Sequence, residues 1–212
     1  MKIKFEPSEA EKRELVEIAR AEAERKIWEA RRVREAMQVL ARGDSRWFCT
    51  YVVKAEGTAR AIKLSKYHLR WHEMFKRHDR VVIWSHPEGG KTWQLIGYCL
   101  WRMGLNPNIR IAWASNTYGQ AERPVKAVMQ MLTQSKAWRE VFPQLKPSSR
   151  RGDSFGQTAL TIERSEVSKD PTLVTCGAYG SILGARIDLL ILDDVIDFEN
   201  TRDQTQREKF AE

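Results

Sequence analysis

At 212 residues the chain can form one sizeable α/β domain with its own core, or such a domain plus a small appendage. Charged residues make up 30% and the formal net charge is +8, a balance that suits a polyanionic partner, nucleic acid first, without implying specificity. Cys49, Cys99 and Cys176 are far apart and odd in number, so no disulfide framework or metal-ligand spacing is visible and a reducing cytosolic compartment is the default. No apolar stretch is long enough to span a bilayer, and the start Met-Lys-Ile-Lys-Phe-Glu-Pro has no signal-peptide core.

Residues 8–42 read as one long charged helix, opened by Pro7 and a Ser8/Glu11 capping-box pattern and closed by Gly43-Asp44. Leu15, Ile18, Ala19, Ala23, Ile27, Met37 and Leu40 make a thin apolar stripe along it. Arg31, Arg32 and Arg34 form a solvated face, or one that meets DNA or a partner. Residues 1–45 are thus an N-terminal helical arm, an appendage to the core or a contact for a neighbouring subunit. The aromatic and β-branched run 46–53 reads as a strand or a buried connector, and residues 65–76 as an amphipathic helix. The histidines of that helix fit packing better than metal binding, with Tyr67 or His68 a candidate to flank a bound base.

An apolar strand is predicted at 81–85. It runs into Ser85-His86-Pro87-Glu88-Gly89-Gly90-Lys91-Thr92, and a helix over 91–103 follows. Strand, glycine loop and helix start are the setting of a phosphate-binding loop. Glycines let backbone N–H groups close on phosphate oxygens, and the helix dipole adds positive potential. Pro87, Glu88, Gly89, Gly90, Lys91 and Thr92 would line the nucleotide, Lys91 reaching the β- and γ-phosphates and Thr92 ligating Mg²⁺. Ser85 stands where the first glycine of the usual pattern belongs. An ordinary strand-to-helix turn with a lysine at its rim is the plainer reading.

Beyond the Gly104–Pro107 turn, a strand is expected at 109–115, a helix at 118–134 containing Pro124, and a short helix at 138–142. The stretch 143–156 is loop. Runs 158–163 and 172–176 read as strands, a hairpin pair or sheet neighbours. Residues 187–192 form an apolar strand ending in Asp193-Asp194. Apolar strands alternating with helices argue for a mostly parallel central sheet covered by helices on both faces.

The last strand delivers Asp193 to the sheet edge that the glycine loop occupies, where it would hold the Mg²⁺ hydration shell. Asp194 is placed to polarise an attacking water, its plainer role being a helix N-cap. Two weak signals at compatible spacing make a P-loop NTPase of residues 46–212. Gly177–Arg186 is a glycine-rich loop before that strand. Arg186 would either stabilise charge on a transferring phosphoryl group or pair with Asp188.

The chain resembles the large terminase subunit of tailed double-stranded DNA bacteriophages, the ATPase motor that packages the genome. The likeness covers residues from about 46 to the end. It rests on Tyr67–His72, His78–Trp84 with Glu88–Thr92, Ile111–Thr117, Trp138–Pro143, Gly180–Arg186 and Leu190–Asp194. The resemblance implies an ASCE-type P-loop fold, ATP and Mg²⁺ as cofactors, and ATP-driven translocation of double-stranded DNA into the procapsid. It implies a homo-oligomeric ring with the portal protein and the small terminase subunit as partners, in the host cytoplasm and transiently at the portal. On the same grounds Lys91 and Thr92 match the Walker A lysine and metal ligand, Asp193 the Walker B carboxylate and Asp194 the catalytic acid. Arg186 lies near an arginine finger that serves the neighbouring subunit. Glu88 departs from the basic residue many members carry, and Asp194 from the glutamate of other branches. The coupling motif and nuclease domain that follow in the family fall beyond Glu212, so the sequence reads as a fragment or split gene product. A helicase-like motor and a nucleotide-binding module that assembles or binds DNA without hydrolysis are the alternatives.

Overall fold

The computed structural model describes residues 9–54, 60–178 and 186–196. Helix α1 spans Glu9–Gly43, and most of it stands clear of the remaining chain. Ile27, Trp28 and Val33 are exposed, and the rod is braced by Arg20–Glu24, Arg25–Glu29 and Arg31–Glu35 pairs one turn apart. Each such exposed pair contributes only about 0.3–0.5 kcal/mol. The helix is held at its end. Ala41 is fully buried, and the Arg42 guanidinium donates to the carbonyls of Val141 (2.7 Å) and Glu140 (3.3 Å). Ser8 and the Glu11 side chain, expected to cap the helix, lie outside the described set.

The run expected to be a strand or connector at 46–53 is a helix, α2 (Ser45–Val52). Asp44 caps it, accepting from the Arg46 N–H at 2.8 Å. Phe48, Cys49 and Val52 share one helical face and are buried. A strand would have sent Phe48 and Cys49 to opposite sides. Tertiary packing therefore overrides β-propensity here. Helix α3 (Lys66–Arg77) leads to α4 (Lys91–Leu105). Gly97 is what lets α4 approach α2, since a Cβ there would meet Cys49 Sγ at 2.3 Å.

Strand β1 (Ile111–Ser115) is buried at every residue. Helix α5 (Tyr118–Gln134), capped by Thr117, runs on through Pro124. Helix α6 (Lys136–Val141) turns Trp138 inward, where it meets Phe48 edge-on at 6.0 Å and Phe142 at 5.2 Å. These aromatics join Ile96, Leu100, Met103, Trp113 and Ile191 in one core between helices and sheet. Fully burying an aliphatic or Phe side chain of this kind stabilises by about 1.5–3 kcal/mol.

The sheet is completed by β2 (Ala159–Leu160), β3 (Leu173–Gly177) and β4 (Leu189–Leu192), in the order β2-β3-β1-β4. β1 is parallel to β3 and β4, with Ile111 opposite Leu173 and Leu189. β2 is antiparallel to β3. The fold is mixed α/β with a mostly parallel four-stranded sheet flanked by helices. Parallel strands end on one edge, so Ser115, Gly177 and Asp193 leave the sheet together.

The strand expected at 81–85 is not one. Residues 81–86 make no ladder, and Val82 and Trp84 are 86% and 97% exposed. A β-run becomes a strand only by pairing its N–H and C=O groups, and among the described residues nothing pairs with it. β4 is an edge strand with Leu190 and Leu192 exposed, so the expected cover on both sheet faces is not complete at this edge. Loop residues 179–185 and the stretch 197–212 lie outside the described residues.

Candidate functional site

The site is built where α4 begins and β4 ends. His86, Pro87, Glu88 and Gly89 form a turn closed by the Gly89 N–H to His86 carbonyl bond at 3.3 Å. Glu88 has φ +60° and Gly90 φ +77°. Gly90 is the N-cap of α4 in the left-handed region, where its missing Cβ removes the steric cost. Glu88 has no such freedom and carries strain of about 1–2 kcal/mol. Pro87 and Glu88 are exposed and Gly89 is buried. A Cβ on Gly89 would meet Ser85 Oγ at 2.7 Å and the His86 carbonyl at 3.0 Å.

The Lys91 ammonium folds back over this turn, donating to the carbonyls of Ser85 (3.4 Å) and His86 (3.3 Å). The Thr92 hydroxyl, one residue on, faces Asp193 and lies 3.0 and 3.2 Å from its two carboxylate oxygens. Asp193 is 8% exposed. Burial pushes its carboxyl above the usual carboxylate range; the Thr92 hydroxyl opposes this, the neighbouring Asp194 charge adds to it and Lys91 opposes it.

Asp194 is exposed, with φ +50°, a conformation aspartate tolerates better than most residues. Its carbonyl accepts from the Asn116 N–H at 3.2 Å, and the Asn116 carbonyl accepts from Ala178 at 3.3 Å. The turns after β1, β3 and β4 are thereby linked. Residues 195 and 196 are not helical, so no helix capped by Asp194 begins within them.

Arg186 is elsewhere. Its N–H points at Asp170 Oδ2 (3.4 Å), just ahead of β3, on the edge opposite Asp193. Arg186 lies seven positions before Asp193 along largely extended chain, on the order of 20 Å away. Asp188 does not take Arg186 either, because Arg110 holds it in a fork at 2.7 and 2.9 Å. That fork keeps the Asp188 carboxyl below its usual range.

Of the two histidines on α3, His68 reaches the loop and His72 packs between helices, as expected of it. His68 is buried; its Nδ1 accepts from the Ser65 N–H (3.2 Å), so the proton sits on Nε2 and is donated to the Gly89 carbonyl at 2.8 Å. One turn later, His72 lies between the Ser45 hydroxyl and Gln94 Oε1, each at 2.9 Å. Burial pushes the His72 imidazole below its usual value. A histidine pair at i, i+4 on the helix preceding a glycine loop was the available signal. Tyr67 stays half-exposed, its ring 6.1 Å from that of His86.

The donor set suits a hard cation brought in with phosphate. Among the described residues no cluster of three or more His, Cys, Asp or Glu could hold a metal unaided. Thr92 and Asp193 offer oxygen ligands beside a helix N-terminus, and Mg²⁺ characteristically takes one or two carboxylates plus substrate phosphates and water. A buried carboxylate with a raised pKa is the group such a cation would return to its ionised form.

No protein-family model matches the chain, and no curated protein is significantly similar to it. No described helix is long and apolar enough to cross a membrane.

Proposed function

We propose that the chain is the ATPase region of a phage terminase large subunit, a P-loop enzyme that hydrolyses ATP to drive double-stranded DNA into a procapsid. One observation carries the reading: Thr92, opening the helix after the glycine loop, meets Asp193 across 101 residues. A phosphate-binding loop and a metal-holding carboxylate must converge in this way.

In this reading the Gly89–Thr92 N–H groups and the α4 N-terminus cradle the β- and γ-phosphates. Lys91 leaves the Ser85 and His86 carbonyls for the phosphate oxygens, exchanging neutral acceptors for charged ones. Thr92 and Asp193 would hold Mg²⁺, which supplies charge neutralisation on the β- and γ-oxygens. Asp194 orients the water for in-line attack and takes up its proton. Arg186, on the far edge of the sheet, acts only on a neighbouring subunit's nucleotide in a ring.

The test is steady-state ATP hydrolysis with Mg²⁺, with and without duplex DNA. Turnover that Lys91→Ala and Asp194→Asn each abolish supports the reading. Nucleotide binding without turnover favours the non-hydrolysing module, and absence of binding overturns the assignment.

A further inference from the structure

We propose that the groove between the N-terminal turns of α4 and the middle of α5 binds the phosphodiester backbone of a nucleic acid, with Arg123 and Lys126 as its main contacts. The proposal rests on the ATPase reading only for the choice of nucleic acid as the polyanion.

The groove, about 470 Å³, has Thr92, Trp93 and Ile96 of α4 on one wall and Arg123 and Lys126 of α5 on the other, with Lys54 nearby. It adjoins a hollow of about 660 Å³ that shares Trp93 and Met131 and adds Arg34 and Lys136. Cations therefore follow one another along an open channel. The one acid lining it among the described residues is Glu140, which accepts from the Tyr51 hydroxyl at 2.5 Å and lies 3.9 Å from Lys136.

Arg123 and Lys126 are exposed and one turn apart, hence on one face of α5. Neither is in an ion pair among the described residues. Like charges at this spacing repel, and an anion between them offsets the repulsion. The apolar floor of Trp93, Ile96 and Pro124 strengthens the local field by keeping polarisable water away. A closed cage would suit a single small anion; a row of cations along an open channel suits a chain of phosphates. The other basic residues Arg60, Lys63, Arg150 and Arg151 do not line it.

The experiment titrates a duplex DNA of about 30 base pairs, without nucleotide, over a range of salt concentrations. Arg123→Ala/Lys126→Ala is compared with Arg20→Ala/Arg25→Ala, an equal charge change on exposed α1 away from the channel. Expected is weaker binding for the first pair, with the log–log salt slope smaller by about 2, and an unchanged slope for the second. Equal losses in both pairs, or none in the first, overturn the proposal. So does polyglutamate binding as tightly as DNA, which assigns the groove to an acidic protein segment. Because nucleotide is left out, failure to bind Mg–ATP overturns the ATPase reading and not this one.

Discussion

The Thr92 hydroxyl donates to Oδ2 of Asp193 at 3.0 Å, joining the start of α4 to the end of β4 at a carboxylate that burial makes costly to ionise. The native state holds that proton more tightly than the unfolded chain. The contribution to stability is therefore full below the unfolded carboxylate pKa and lost as pH rises through the higher folded value. Asp193→Asn should raise the melting temperature at pH 7 while lowering Mg²⁺-dependent nucleotide affinity by about 10- to 100-fold. Calorimetry beside nucleotide titration checks both; a variant less stable than the parent at pH 7 would refute the account.

His68 is the side chain that fixes the carbonyl of Gly89. His68→Ala leaves that carbonyl without its donor, at a cost of about 1–2 kcal/mol. If the loop receives phosphate, nucleotide affinity should fall about 5- to 30-fold. His68→Gln, whose amide nitrogen can replace Nε2–H, should recover part of it. Equal affinities for the alanine and glutamine variants would show that the bond does not position the loop.

Glu88 occupies the left-handed region without glycine's freedom, and its charge stands in a turn proposed to hold phosphate. Glu88→Gly should relieve about 1 kcal/mol of strain, offset in part by the greater entropy of the unfolded chain. It should also tighten nucleotide binding by removing a like charge. Weaker binding in low salt would contradict this.

The buried His72 predicts an acid limit to stability. Its folded pKa lies below the unfolded value of about 6.5. Its neutral form is required natively, so stability is full above that pH and declines as pH falls below it. His72→Gln should flatten this part of the pH–stability profile, as followed by denaturant midpoint.

Two glycines on helices should respond in opposite directions. Gly97→Ala meets Cys49 Sγ at 2.3 Å, and overpacking costs about 1–3 kcal/mol, more than alanine's helix propensity returns. Gly119→Ala in α5 meets nothing within 4 Å and should stabilise by roughly 0.5 kcal/mol. Chemical denaturation measures both.

Local chemistry in the sequence determined every described helix but α2, because propensity, caps and periodicity act within a few residues. Helix α5 begins and ends at the predicted residues 118 and 134, and α3 and α4 agree within two. The glycine pair, Lys91, Thr92 and the acid pair after an apolar run were legible for the same reason. Tertiary structure alone decided whether each β-run had a partner. Val81–Ser85 has the composition of a core strand and no ladder, whereas Ile111–Ser115 is paired on both sides. Packing against α4 turned the Phe48–Val52 stretch from a β-run into a helix. Distance along the sheet parted Arg186 from Asp193, though they are seven residues apart. The same three-dimensional closeness joined His68 to Gly89, 21 residues apart, and Thr92 to Asp193, because hydrogen bonds and burial depend on proximity in space.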